Sequence, residues 1–452
     1  MSDTIAAIAT GAQVAAIGII RLSGPEAIAI ADRLFAPRAG RRMSERADRS
    51  LVYGTLRSRS GEILDICLCT VSRAPNSYTG EDTAELQCHG SPVVLRTALE
   101  EMFALGARQA GPGEFTKRAF LNGRMELTAA EAVADLIDAE TAESARNAAG
   151  QLSGAIAGKT DAVYSSLADI SSHYHAVLDY PDEDIEEFTL QSYVGTMDAA
   201  LTALRRLLST FERGRLLNSG IPAAIVGRPN VGKSSLLNAL VGYDRAIVTS
   251  VAGTTRDTIE EKLRLGGLTL RLVDTAGIHE TSDAVERLGV ERSRRAMESA
   301  RLVIAVIDGS VGLTDGDMEI IRAAEAAPKA LVVVSKLDIS PRAPEIGTIL
   351  PVVRLSSVTG EGIDLLEKTV AELFPLPAVP AGEILTNSRQ ADAVSRAVEY
   401  MEAARQAMND GMTPDIVLTE TEGAMAALGE LTGRTVREDV TDRIFRRFCV
   451  GK

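Results

Sequence analysis

Eight residues, Gly227-Arg228-Pro229-Asn230-Val231-Gly232-Lys233-Ser234, follow directly on the apolar run Ala223 to Val226 and lead into the helix-forming string SLLNAL. This is the GxxxxGK[ST] pattern in its required setting of strand, turn and helix. Glycines let successive amide N–H groups converge on phosphate oxygens, and the helix N-terminus adds positive potential. Lys233 suits the β/γ oxygens and Ser234 a magnesium ion. A glycine-rich turn arising by chance would lack the flanking strand and helix. Asn230, Val231, Gly232 and Ser235 belong to the same phosphate-facing turn.

From Ile221 onward, short apolar runs alternate with amphipathic segments: AAIVG, LTLRLVD, RLVIAVID, ALVVVS and PVVRLSS. That alternation predicts a parallel, doubly wound sheet flanked by helices. The chain enters this unit at Gly220-Ile221-Pro222 and leaves through LFPLPAVPAGE, whose three prolines suit a stiff linker. One domain is therefore expected at residues 217–378.

Further polar segments fall at the strand ends of that domain. Asp274-Thr275-Ala276-Gly277 follows LRLV, where an α/β sheet places its ligands. Asp274 suits an outer-sphere magnesium contact, and Gly277 an amide that meets a γ-phosphate and swings away after hydrolysis. In Gly253-Thr254-Thr255-Arg256-Asp257, the Thr255 hydroxyl is placed to complete the magnesium shell; alone, the segment reads as an ordinary threonine-rich loop. Ser335-Lys336-Leu337-Asp338 follows ALVVV, and a carboxylate there accepts from the guanine N1–H and amino group, a pair adenine does not offer. Most GTPases carry Asn where this chain has Ser335, so the shorter side chain is expected to lose a contact to the base or to the phosphate loop. Ser356 and Ser357 resemble the segment whose backbone approaches the base.

Length and composition bound the rest. At 452 residues, and roughly 150 per domain, about three units are expected. Residues 1–118 mix β-rich runs such as Ile63 to Val71 with Gly and Pro turns and read as α+β. Residues 119–216 and 379–452 share a helix-forming composition rich in Ala, Leu, Glu and Arg, which predicts one helical domain interrupted by the nucleotide domain. Cys67, Cys69, Cys88 and Cys449 have no disulfide or zinc spacing, which fits a reducing cytoplasm. The run Ile5 to Ile20 is broken by Thr10, Gly11 and Gln13, and no stretch nears the roughly 20 apolar residues that span a bilayer. A net charge of -14 excludes a general positive coat for nucleic acid, so any RNA contact must be local. The clearest basic cluster runs from Arg434 to Lys452; a solvated helix face and a ligand site are equally open there. His173 and His175, two apart on a helix, point to different faces and make a poor metal pair.

The motifs GRPNVGKSS, AGTTRD, DTAG and SKLD, with DTIAAIAT, NSYTGEDTAELQCHG, GPGEFTKRAFLNGRMELTAAEA and the terminal FCVGK, closely resemble the MnmE (TrmE) family of tRNA modification GTPases, from end to end. The resemblance implies an N-terminal tetrahydrofolate-binding and dimerisation domain, a discontinuous helical domain and an inserted Ras-like G domain. It implies a potassium-activated GTPase that works as a homodimer with the FAD-dependent partner MnmG. The product would be an aminomethyl-type or carboxymethylaminomethyl group at C5 of the wobble uridine of certain tRNAs.

Residue by residue, the resemblance carries the catalytic role to Glu286, since Ile278 after DTAG has no group to orient water. Read without the family, Glu286 is a first-turn helix residue favoured by the dipole. Potassium ligands carry over to Asn230 and to Thr249, Val251 and Thr254 of the loop Thr249-Ser250-Val251-Ala252-Gly253-Thr254. A cation there would neutralise charge on the leaving phosphate as an arginine finger does; alone, Asn230 reads as a turn residue. A 5-formyl-tetrahydrofolate-type donor would be held by Arg21, Glu85, Arg124 and Lys452, each otherwise a surface charge. Cys449 matches the family's reactive-site cysteine, although a buried thiol is the commoner fate. Two other readings stand beside the enzyme: a regulatory GTP switch that recruits an RNA-processing partner, and a stand-alone folate-dependent transferase, for which no complete catalytic set is evident.

Overall fold

The computed structural model describes residues 3–11, 13–179, 190–243, 262–273, 296–340, 344–375, 379–435, 438–446 and 448–451. In chain order the first part runs β1 Ile5–Ile8, β2 Ala15–Ser23, α1 Ala27–Leu34, β3 Phe35–Pro37, β4 Val52–Arg57, β5 Ile63–Ser72, β6 Thr83–Gly90, α2 Pro92–Ala104, β7 Arg108–Gln109 and α3 Glu114–Leu121. Helices α4 Leu127–Ile137, α5 Ala142–Leu152, α6 Ala155–Asp179, α7 Leu190–Leu208 and α8 Phe211–Ser219 follow. Next come β8 Ile221–Val226, α9 Lys233–Tyr243, β9 Lys262–Leu265, β10 Leu268–Leu272, β11 Leu302–Asp308, α10 Asp315–Glu325, β12 Ala330–Ser335, β13 Val352–Arg354 and α11 Ile363–Leu373. The chain closes with α12 Ser388–Asn409, α13 Pro414–Thr432 and α14 Glu438–Phe445.

Two compact units result: Met1–Ile137, Ala149–Leu204 and Ala393–Lys452 form one, and Asp138–Ala148 with Arg205–Asp392 the other. The expected boundaries at 217 and 378 both fall inside the second.

In the first unit the sheet order is β3-β4-β5-β6-β2-β1-β7, antiparallel except where β1 meets β7. Period-two alternation sends Ile20, Leu22, Leu56, Cys69 and Leu86 inward, where they pack with Leu95 and Met102 of α2. The same alternation places Arg21 opposite Glu85, and Glu85 opposite Thr70, in one cross-strand row. Composition alone left open whether the helical stretches before and after the nucleotide domain meet. Helix α6 packs on α13; charged pairs stitch the two stretches, Arg405 to Asp198 and Arg434 to Asp161 at 2.8 Å, and a hydrogen bond joins His175 Nε2 and Glu422 Oε1 at 2.9 Å. His173 instead meets Tyr193 in a tilted ring contact, centroids 5.3 Å apart.

In the second unit the order is β13-β12-β11-β8-β10-β9. Strands β8, β11 and β12 are buried along nearly their whole length, the pattern of a parallel sheet covered on both faces. The expected parallel sheet needs one correction, because edge strand β9 pairs antiparallel with β10. Gly266 and Gly267 join them, both at positive φ (60° and 78°), as a tight two-residue hairpin requires. The flanks of the unit close on each other: the Leu385 amide donates to Thr210 Oγ1 at 3.0 Å, and the Gly382 amide to Asn147 Oδ1 at 2.9 Å. Among the described residues no helix is long and apolar enough to cross a membrane.

Candidate nucleotide site

From β8 the chain passes by way of β9 to β10 on one side and then to β11 on the other, so the carboxyl end of β8 is a topological switch point. The turn Gly227–Gly232 sits there and feeds α9. A Cβ on Gly227 would lie 2.4 Å from the Val306 carbonyl, so only glycine lets the loop lie this close to β11. Asn230 and Gly232 take positive φ (63° and 102°), which Asn tolerates better than most side chains.

Lys233 curls back over its own loop, with Nζ donating to the Gly227 and Arg228 carbonyls at 2.8 Å each. Burial pulls its ammonium below the usual lysine range. Among the described residues no carboxylate pairs with it. A half-buried cation that, among the described residues, is held by two carbonyl dipoles at the start of α9 suits an oxyanion.

The base-reading segment is tied to this loop. Ser335, 2% exposed, has its hydroxyl 2.5 Å from the Val231 carbonyl and 3.0 Å from that of Ile307. The expected loss of a contact is therefore corrected in part, since serine keeps the link to the phosphate loop. Its single hydroxyl hydrogen is engaged there. Lys336, at a left-handed φ of 62°, donates to the Asn230 carbonyl at 2.9 Å and to Asp308 Oδ2 at 2.6 Å. Such backbone strain in a long side chain persists where surrounding contacts fix it. Burial works against the Asp308 carboxylate, but Lys336 and Ser310 hold it below the ordinary range. Asp338 is exposed, and Ser356 Oγ donates to its Oδ1 at 2.7 Å while accepting from the Val358 and Thr359 amides at 3.2 Å each. Ser357 is half-buried beside it.

Asp308 and Arg228 were not singled out in the sequence. Asp308 carried a readable signal, an acid closing the run RLVIAVID. Arg228 carried none: Nη1 reaches Thr314 Oγ1 at 2.6 Å and Asp317 Oδ2 at 3.4 Å, the two residues of the capping box that starts α10. The expectations on Thr249–Thr255, Asp274–Gly277, Ile278, Glu286 and Lys452 lie outside the described residues.

In the first unit, Arg21 Nε pairs with Glu85 Oε1 at 2.7 Å, and the guanidinium lies 5.5 Å from the Tyr78 ring centroid and 5.6 Å from that of Phe115. Arg124 is exposed, and its stem passes over Gly80, two residues from Tyr78. Beneath lies Arg118, 1% exposed, which reaches Asp3, Glu81 and Glu114. The chain end approaches the start of α3: Val450 bridges to Pro112, and the Gly113 amide reaches the Cys449 carbonyl at 3.3 Å. Cys449 is exposed, whereas Cys67, Cys69 and Cys88 are buried.

A P-loop nucleotide-binding unit, with a second carboxylate-bearing segment locked to the loop, is the class these features define. The family model described as the MnmE helical domain matches residues 127–449, and that of the GTP-binding protein TrmE N-terminus matches residues 4–124. The tRNA modification GTPase MnmE of Symbiobacterium thermophilum is 43% identical over 457 residues, covering 100% of this chain and 99% of its own. That of Chloroflexus aurantiacus is 44% identical over 460 residues, covering all of both chains. The chain belongs to the MnmE (TrmE) family. Among solved structures, Era in complex with MgGDPNP and a 16S ribosomal RNA fragment is 28% identical over 40% of this chain and 66% of its own, with a TM-score of 0.25; at that score the assignment rests on the sequence relatives.

Proposed function

We propose that this chain hydrolyses GTP in the course of tRNA modification, with Lys233, its loop amides and Asp338 holding the nucleotide. The observation that carries the reading is the half-buried Lys233 ammonium, bonded only to the Gly227 and Arg228 carbonyls among the described residues. A triphosphate would replace those weak acceptors with charged ones, roughly doubling the strength of each hydrogen bond. The Ser234 hydroxyl, next in the turn, is a hard oxygen of the kind magnesium takes, and Thr255 is assigned with it. Magnesium there would supply charge neutralisation at the β/γ oxygens. Asp338, with one oxygen fixed by Ser356, would accept from the guanine N1–H and amino group; Ser335 and Lys336 would transmit that engagement to Val231 and Asn230.

The finer assignments belong to the same reading. Asn230, Thr249, Val251 and Thr254 would hold a potassium ion, and Glu286 would orient water. Asp274 to Gly277 would sense the γ-phosphate. Arg21, Glu85, Arg124 and Lys452 would hold a folate, with Arg21 exchanging its Glu85 partner for a glutamyl carboxylate. Cys449, exposed at the chain end, is free for chemistry on the modified base. A homodimer acting with MnmG on the wobble uridine, in the cytoplasm, completes the proposal.

GTP should be hydrolysed in preference to ATP, and Glu286→Ala should retain binding while losing turnover. Replacing sodium by potassium should raise turnover severalfold, and Asn230→Ala should abolish the difference; equal rates in the two salts would sink the cation assignment. Wobble-nucleoside analysis of tRNA from a strain lacking the gene tests the biological role.

A further inference from the structure

Between residues 33 and 59 the chain carries eight arginines against two acids, in a protein of net charge -14. This stretch runs from the end of α1 through the loop before β4 and into β5's hairpin, all within the first unit. All of these arginines are exposed except the half-buried Arg46. Some guanidinium groups build the loop: Arg46 donates to the Arg41 and Ala39 carbonyls, and Arg73 from the next turn donates to the Ser44 carbonyl at 2.6 Å and pairs with Asp48. Arg33, Arg41 and Arg42 have no partner among the described residues. Arg33, Arg42 and Arg73 line an open cavity of about 700 Å³. Asp32 and Asp82 also line it, but both are turned to backbone amides: Asp32 accepts from Met43 at 2.6 Å and from Ser44, and Asp82 from Ala74 at 2.9 Å. Arg38 lies 5.8 Å from the ring of Tyr53, an exposed aromatic on β4.

We propose that this arginine-rich surface is where the phosphate backbone of tRNA docks. Three features favour a polyanion. A cluster of unpaired arginines on an otherwise acidic protein makes a local positive field that attracts negative charge from outside. The guanidinium fork matches phosphate oxygens in planar, bidentate geometry, and every basic residue in this stretch is Arg, not Lys. The charge is spread along a loop and an open hollow rather than focused in a closed pocket, which suits contacts to successive phosphates. The proposal rests on the reading that the chain acts on tRNA.

The test is the affinity of the full chain for unmodified tRNA as a function of salt. Each phosphate contact contributes roughly 0.7 to 0.9 to the slope of log affinity against log salt. The Arg33→Glu, Arg41→Glu, Arg42→Glu triple variant should lower that slope by about 2 to 3 and cut affinity at low salt at least tenfold. GTP turnover without tRNA should stay unchanged, and the matching Arg→Gln triple should fall between. A control triple, Arg213→Glu, Arg322→Glu and Lys329→Glu, changes net charge equally and should leave the slope near wild type. An unchanged slope in both arginine triples would overturn the surface while leaving the tRNA reading intact, with an acidic protein segment then the occupant to seek. An equal loss in the control would also overturn it, reducing the effect to a general field. Wild-type protein that retains no tRNA at low salt would overturn both the surface and the reading beneath it.

Discussion

Replacing Glu114 by Gln should loosen the start of α3 by an amount that depends on pH. The Glu114 carboxylate accepts from Arg108 at 2.5 and 2.8 Å, from Arg118 at 2.9 Å and from the Gly111 amide at 2.8 Å. Burial pushes its pKa up, but these four donors outweigh it and bring the group from 4.5 down to about 2. The folded value lies below the unfolded one, so the stabilisation is complete above about pH 4.5 and drains away as pH falls toward 2. A gap of that size corresponds to about 3 kcal/mol, and with the Glu114 side chain 14% exposed, solvent screening removes little of it. Glutamine keeps the shape and one acceptor but no charge, and leaves Arg118 buried beside a weaker partner. Hydrogen exchange of the amides in α3 should therefore be about a hundredfold faster in Glu114→Gln at pH 6, with the gap closing toward pH 2. Local exchange is the right readout because two compact units need not unfold in one transition. A gap that persists undiminished at pH 2, or one under threefold at pH 6, would refute the charge-based account.

Other expectations follow from the nucleotide site. Asp338→Asn exchanges an acceptor for a donor opposite the base, so GTP binding should fall at least a hundredfold while xanthosine triphosphate, which offers a carbonyl where guanine has an amine, should gain; competition binding reads both. Because the Ser335 hydroxyl is engaged with Val231 and Ile307, 7-deaza-GTP should bind within about threefold of GTP; a tenfold preference for GTP would show that N7 is read after all. Ser335→Ala removes the donor linking the two loops and should weaken GTP about fivefold to tenfold, at roughly 1 kcal/mol per buried hydrogen bond.

The nucleotide unit was legible in the sequence because its signals are local. A P-loop needs neighbours a few residues away, and strands such as ALVVVS announce burial by composition. What escaped was non-local. Nothing near Arg228 indicates Thr314 and Asp317, 86 and 89 residues on, and Ser335 reads as a deficit until its hydroxyl is seen on Val231. Edge strand β9, KLRL, is too short and too charged to stand out as an apolar run beside LTLRLVD. In the first unit, Arg21 and Glu85 were named only through family resemblance, since their pairing depends on strand register across 64 residues. The arginine-rich loop between residues 33 and 59 was not singled out, because the denser basic cluster lies from Arg434 to Lys452 and the folded loop decides which guanidinium groups are engaged.

The closure of the second unit on its own flanks bears on how the rest of the chain comes together. Arg405 and Asp198 are 207 positions apart, a long excursion for an unstructured polymer to close. Once Thr210 holds Leu385, the free path between them shrinks to about thirty residues, which lowers the entropic cost of bringing them together by roughly 2 kcal/mol. Folding of the insert thus prepares the helices that flank it in sequence to find each other, and a lesion that unravels the nucleotide unit should also slow their assembly.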